Sequence, residues 1–304
     1  MKKKQLNLTS GPILRTLSEL ALPIMASSFL STAYNITDMA WIGMLGSKAV
    51  AGVGVGGMYV WLSQGLSSLA RMGGQVNMAH SLGRGDQKAA AGFAQAALQL
   101  TILFSLFVTL ISMLFTNPLL QFFALNDAET YNSARIYMRI TCGLILFSFL
   151  SQVLTGLFTA QGDSKTPLKA NFFGLILNMI LDPLLVLGVG PFPRLEVVGA
   201  AIATVTAQII VLLILVTEIL RDHGEANVLH KIRLLSRPDI ACLKRCLSHW
   251  NPHCASRKPL LYHLHDTHPN GFWIRGRSEL PYRRVGGQIE SLSWNTADGF
   301  WTPP

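Results

Sequence analysis

Residues 170–188, ANFFGLILNMILDPLLVLG, decide how the chain is to be read. The run is apolar throughout except for the amides Asn171 and Asn178 and a single charge, Asp182. A helix needs about 20 mostly apolar residues to cross the hydrocarbon core of a bilayer, and this stretch supplies them. Comparable windows flank it: Leu20–Thr37, Ala49–Ala70, Ala89–Asn126, Ile140–Gly162 and Val197–Thr217. The expected fold is an all-α membrane protein. Residues 1–238 form one six-helix transmembrane bundle, with spans at about 14–42, 48–80, 88–116, 131–160, 166–190 and 196–220. Residues 239–304 form an irregular polar C-terminal tail.

Composition agrees with that division. The chain has 304 residues, of which 50% are hydrophobic and 13% charged. Soluble domains carry about 25% charged residues, so an ordinary globular enzyme is excluded. The shortage is confined to the first part: 22 charged side chains fall in residues 1–220 and 19 in residues 221–304. Seven of the eight histidines also lie in the second part. Four cysteines, Cys142, Cys242, Cys246 and Cys254, are too few and too uneven for a disulfide framework. No cleavable signal peptide is evident, because no small-residue cleavage site closes a short apolar core after Lys2–Lys4.

The loops give an orientation. Lys2, Lys3, Lys4 and Arg15, then Arg84 and Lys88, Lys165 and Lys169, and Arg221, Lys231, Arg233 and Arg237 all fall on one side. The opposite side holds Lys48, Arg194, Asp127 and Glu129, with Arg135 entering the fourth span. Cytoplasmic loops collect Lys and Arg, which places the N-terminus in the cytoplasm and the chain in the inner (plasma) membrane as a multi-pass protein. The net charge of +9 is then a membrane signature, and no nucleic-acid partner is implied.

An ionisable side chain at membrane depth costs at least ~2.5–3.5 kcal/mol on insertion scales, so each marks a candidate functional site. Asp38 in the first span and Asp182 in the fifth stand out. Each lies about 24–27 Å from the cytoplasmic start of its span, and each has an amide on its own helix face, Asn35 for Asp38 and Asn178 for Asp182. Two carboxylates with amide partners facing one cavity suit a proton, a sodium ion or a cationic ligand. Arg71 in the second span is read as snorkelling toward the cytoplasm. Gly52–Gly57 is read as a close-packing surface, since no strand or P-loop lysine accompanies it. Gly85-Asp86-Gln87-Lys88 and Gly162-Asp163-Ser164-Lys165, each opening a span, echo one another.

Several stretches together resemble the multidrug and toxic compound extrusion (MATE) family, within it the DNA-damage-inducible protein F (DinF) branch. They are Leu20-Ala21-Leu22-Pro23-Ile24-Met25, Tyr34-Asn35-Ile36-Thr37-Asp38 with Trp41-Ile42-Gly43, Gln161-Gly162-Asp163-Ser164-Lys165-Thr166-Pro167, and Asn178-Met179-Ile180-Leu181-Asp182-Pro183. The resemblance covers about residues 10–240. It implies a secondary antiporter, not an enzyme, with twelve helices in two six-helix bundles around a cleft. It implies export of small organic cations or drugs in exchange for protons or sodium ions, with no cofactor. By the same resemblance Asp38, Asn178 and Asp182, with Asn35, fall in the polar cluster of the N-terminal bundle. The complementary C-terminal bundle is missing, so the expectation is a half-transporter that does not transport by itself. A lipid-linked oligosaccharide flippase of related fold is the alternative, although it would favour basic cavity residues; a membrane subunit needing a complementary half is another. A membrane-embedded hydrolase finds no Gly-x-Ser-x-Gly elbow in the spans.

Where a seventh span should begin, after Arg237-Pro238-Asp239, the apolar run never arrives. Residues 248–283 instead carry His249, His253, His263, His265 and His268 with several prolines and arginines. Residues 284–300 then resemble the family again, at a site in its second half. Family-like text on both sides of an alien segment implies two compensating reading-frame shifts. A zinc site at Cys242, Cys246, His249 and His253 is the rival reading, weakened by Pro252 in the helix it needs. Translation of codons 248–283 in the other two frames is expected to give an apolar helix; polar text in both frames would refute the shift.

Overall fold

The computed structural model describes residues 13–125, 127–188, 193–221, 228–232 and 240–248. All regular structure among them is helical. In chain order these are α1 (Ile13–Gly43), α2 (Ser47–Gly83), α3 (Gln87–Leu114), a short α4 (Thr116–Gln121), α5 (Ala128–Gly143), α6 (Ile145–Ala160), α7 (Lys165–Val186) and α8 (Glu196–Arg221). A 3₁₀ turn (Val228–Lys231) and α9 (Ile240–Ser248) follow. Helices α3, α7 and α8 are long and apolar enough to cross a membrane, and the bent pair α5–α6 makes a fourth such span. α1 and α2, of 31 and 37 residues, occupy the first two expected spans and exceed the length required. Glycine, serine and Arg71 dilute the apolar character of α2.

Large apolar side chains cover the outside of the bundle as well as filling its core. On α3 the buried residues include Ala90, Ala94, Ala96 and Ala97, while Leu103, Leu106, Phe107 and Leu110 are exposed. Small residues let the helices approach closely, and large ones face outward as well as inward, since the surroundings are as apolar as the side chains. The Gly52-x-x-x-Gly56 pair on α2 shows why. A Cβ on Gly52 would stand 2.7 Å from Ser133 Cβ, and one on Gly56 would stand 3.1 Å from the Ala134 carbonyl oxygen on α5. The glycine run packs helices, as its sequence context indicates.

Two turns at one end of the bundle are the same device. Gly85 and Gly162 both adopt left-handed backbone, at φ 78° and 81°, which only glycine enters cheaply. In each the following Asp donates its amide to a carbonyl five residues back, Asp86 to Ser81 and Asp163 to Phe158, both at 3.0 Å. That is the Schellman end of a helix. Each Asp side chain then caps the next helix: Asp86 accepts from the Ala89 amide at 2.9 Å, and Asp163 from the Thr166 amide at 3.0 Å and its hydroxyl at 2.6 Å. The sequence echo is thus a structural repeat.

Charges at the opposite end pair among themselves. Lys48 lies 2.8 Å from Glu129 and 3.5 Å from Asp127, and Arg194 lies 3.4 Å from Glu196. Asp127 caps α5, accepting from the Thr130 hydroxyl at 2.8 Å and its amide at 3.2 Å. These bonds, with Lys48 beside them, hold its carboxyl below the usual range. The support given to the α5 N-terminus is therefore present above the ordinary carboxylate range and lost as pH falls through the depressed value.

The structure departs from expectation in three places. The fourth span is not one helix: it bends by 50° between α5 and α6. Thr109 of α3 donates to the Cys142 carbonyl at the bend, at 3.0 Å, the side-chain help a broken span requires in lipid. α7 stops at Val186 rather than near residue 190, because Gly188 turns left-handed at φ 71°. The tail is not wholly irregular either. α9 packs on α2 and α3 with Cys246 buried against Gly73. His249 and the rest of the expected tail, including 284–300, lie outside the described residues.

Gly56→Leu is expected to lower stability by about 1–3 kcal/mol through overpacking, read as the unfolding midpoint in mixed micelles. Gly65 of the same helix has nothing within 4 Å of its Cβ position, so Gly65→Leu is expected to be neutral. Equal losses at both positions would show that α2 is destabilised for reasons other than the α5 contact.

Candidate functional site

The buried residues of α7 are Thr166, Pro167, Ala170, Gly174, Asn178, Asp182 and Val186. Apart from Pro167 they recur every fourth residue, a single stripe along the helix. Its other face exposes Phe172, Phe173, Ile176, Met179 and Ile180. The apolar bulk of this helix therefore faces outward and its polar atoms face the bundle. Asp182 and Asn178 are completely buried, at 0% exposure. Asn178 Nδ2 donates to Asp182 Oδ1 at 3.2 Å, the pairing that their spacing of four predicts.

α1 packs along α7 and brings Asp38, itself buried, close enough for its charge to act on Asp182. Asp38 lies five residues from the end of α1 and Asp182 four from the end of α7, so both stand about 6–8 Å inside the same face of the bundle. Of the expected residues, Asn178 and Asp182 are bonded to one another, and Asp38 stands at similar depth on the neighbouring helix. Asn35 sits one turn earlier on α1, half-buried.

α8 completes the wall. A Cβ on Gly174 would touch Val211, and one on Gly199 would touch the Leu185 backbone. These two contacts set an antiparallel register in which Thr204 falls level with the turn between Asn178 and Asp182. Thr204 is buried, and its hydroxyl has no hydrogen-bond partner among the described residues. The same holds for Asp182 Oδ2 and Asn178 Oδ1. Three buried oxygens short of a partner, beside a second carboxylate, form a set that a proton or a hard cation can satisfy. Thr204 escaped the sequence reading, since a lone threonine among the small residues of α8 carries no signal without the α7–α8 register.

No group of three or more His, Cys, Asp or Glu that could hold a metal occurs among the described residues. Cys242 and Cys246 of α9 form no disulfide among the described residues. Burial, with Cys242 adding to it, pushes the Cys246 thiol up to about 12, which keeps it protonated. His249 and His253, the other expected zinc ligands, lie outside the described residues.

The MatE family model matches residues 23–184 of the chain. The protein belongs to the MatE family. That span contains Asp38, Asn178 and Asp182, and a multi-pass membrane protein follows from it. The chain is 30% identical over 199 residues to the probable multidrug resistance protein NorM of Thermotoga maritima, across 65% of this chain and 42% of that protein. It is 29% identical over 210 residues to an FAD transporter of Shewanella oneidensis, across 69% of this chain and 46% of the transporter. The chain thus spans about half the length of the curated relatives it matches. In three dimensions it resembles a MATE solved in complex with MaD3S, with a TM-score of 0.84 at 21% identity, over 99% of this chain and 66% of that one. That likeness establishes the MATE fold.

Thr204→Val is expected to leave stability unchanged or raise it by up to about 1 kcal/mol, because it removes a buried hydroxyl that lacks a partner. Unfolding midpoints in detergent check this. A loss above about 1 kcal/mol would show that the hydroxyl is bonded within the protein and unavailable to a ligand.

Proposed function

We propose that the chain supplies the N-terminal bundle of a secondary transporter, not an enzyme, which exports organic cations or drugs in exchange for protons or sodium ions. The observation that carries this reading is Asp182: fully buried and bonded by Asn178, with the buried Asp38 on the neighbouring α1. A carboxylate with no structural need to be there, held where desolvation is severe, is a binding group. The names of the relatives support drug export as the family's work, and one of them, an FAD transporter, carries a solute that is not a simple cation. The basic end of the bundle is assigned to the cytoplasm, and the membrane to the inner membrane.

In this mechanism a proton or sodium ion and the cationic solute compete for Asp38 and Asp182. Asn178 and Thr204 orient oxygens toward whichever is bound. Pro183, beside Asp182 inside α7, removes a backbone bond at the site and gives the helix a place to flex. Alternating access rocks one bundle against another, so this bundle forms one wall and its partner bundle the other.

Ethidium binding to the purified chain is expected to weaken at least about tenfold in Asp182→Asn and to weaken similarly in Asp38→Asn. Lower pH or added sodium is expected to compete with the dye in the natural sequence alone. Binding that ignores both substitutions would overturn the reading. Cells producing only this chain are expected to accumulate ethidium like cells lacking it, and export above background would show that one bundle suffices.

A further inference from the structure

The stripe of α5 that runs beside α4 carries two cations that the acidic site does not use. Tyr131, Arg135 and Arg139 follow at spacings of four, one face of the helix. Both ends of this stripe touch α4. The Tyr131 hydroxyl donates to Asn117 Oδ1 at 3.3 Å, and Arg139 Nε donates to the Thr116 hydroxyl oxygen at 3.5 Å. Thr116 donates its own proton to the Ser112 carbonyl, so its oxygen is an acceptor that holds Arg139. Arg135, between them, makes no hydrogen bond or ion pair among the described residues, and its Nε is buried without a partner. Both arginines are half-buried.

The acids of the surrounding elements are engaged elsewhere. α5 packs on α2, α3, α4, α6 and α8, and of these only α8 contains Asp or Glu. Glu196 of α8 lies 3.4 Å from Arg194, and Glu218 stands near the far end of that helix. On α5 itself Glu129, with Asp127 before it, pairs with Lys48. α1 carries Asp38, and Glu19 near its start at the basic end. Asp38 and α8 lie across α5 from the arginines. Tyr137 belongs to the core cluster of Met39, Ile42, Ala200 and Ala201, and it is two residues, more than half a turn, from either arginine.

Two like charges one turn apart destabilise a helix, and a partly buried charge without a partner is costly. The pair therefore suits an anion from outside the bundle. Its surroundings say which kind. Leu110, Leu114 and Phe115 at the end of α3, Phe122 beyond α4 and Ile136 beside Arg135 are all exposed. Such a setting favours an anion that carries hydrocarbon over a free ion. The guanidinium fork matches the oxygens of a phosphate.

We infer that Arg135 and Arg139, with Thr116 holding the second, form a site at the α4–α5 junction for the phosphate of an anionic phospholipid. Its acyl chains lie over the exposed residues of α3 and Phe122. The site needs only the membrane, so it stands or falls apart from the transport reading.

Native mass spectrometry of the full chain, released from micelles holding equal phosphatidylglycerol and phosphatidylcholine, counts the lipids retained. Phosphatidylglycerol is expected to be retained in preference by about twentyfold. Arg135→Gln and Arg139→Gln are each expected to lower that preference about fivefold, and the two together to erase it. Arg135→Lys with Arg139→Lys, which keeps the charge and loses the fork, is expected to fall between the natural sequence and the double glutamine variant. Arg84→Gln with Lys88→Gln removes the same charge at the other end of the bundle and is expected to leave the preference within about twofold. A preference that survives the double glutamine variant, or that falls as far in the Arg84 and Lys88 variant, would overturn the inference. Lysine no better than glutamine would mean that packing and not charge was lost, and would overturn it equally. Calorimetry of the chain in phosphatidylcholine nanodiscs is expected to show no heat with inorganic phosphate. Phosphate binding that depends on the two arginines would assign the site to a free anion and contradict the assignment to lipid.

Discussion

A carboxylate withdrawn from water inside a bundle whose exterior is itself apolar is the constraint on which the rest of this structure depends. Asp182 is wholly buried, and no water-facing route is available to it by snorkelling. Its cost has to be met by oriented dipoles and by whatever cation occupies the site. Asn178 supplies one dipole from the same helix. Asp38 adds a second negative group, which makes matters worse for an empty site and better for one that holds a cation. The arrangement makes sense as a binding site and makes little sense as a scaffold.

Holding those groups together without a hydrophobic driving force requires close packing. The four-residue stripe on α7, the small residues of α8 and the Gly52–Gly56 contact with α5 all serve it. Where a helix cannot continue, another supplies hydrogen bonds: Thr109 reaches the Cys142 carbonyl at the bend between α5 and α6. The two Gly-Asp turns end one span and cap the next with the same bonds, so spans two to three and four to five share one construction. α9 extends that packing beyond the sixth span, covering Gly73 with the Cys246 backbone.

Much of this was legible because membrane sequences are written in contrasts. Asp38 and Asp182 are conspicuous for being charged in apolar runs, and Asn178 for standing one helical turn from Asp182. Helices stand where length and charge place the six expected spans, the fourth of them broken in two. Thr204 was not legible, since its role depends on how α8 slides against α7, and small residues permit many registers. The bend at Leu144 was hidden for a related reason: neither Gly nor Pro alone marks a break that a distant threonine stabilises. Ile240–Ser248 looked like the start of an unpacked tail, because its two cysteines and lysine give no hint of the groove between α2 and α3.

The central claim is that Asp38 and Asp182 act as one site at which a cationic solute and a coupling ion exchange. The most direct test is the ion count that accompanies tetraphenylphosphonium binding to the purified chain. Calorimetry in two buffers of different ionisation enthalpy gives protons released, and repetition with sodium gives sodium displaced. The account predicts release of protons or of sodium on binding, lost when Asp182 is replaced by Asn. Binding that proceeds with neither proton release nor sodium displacement would contradict it.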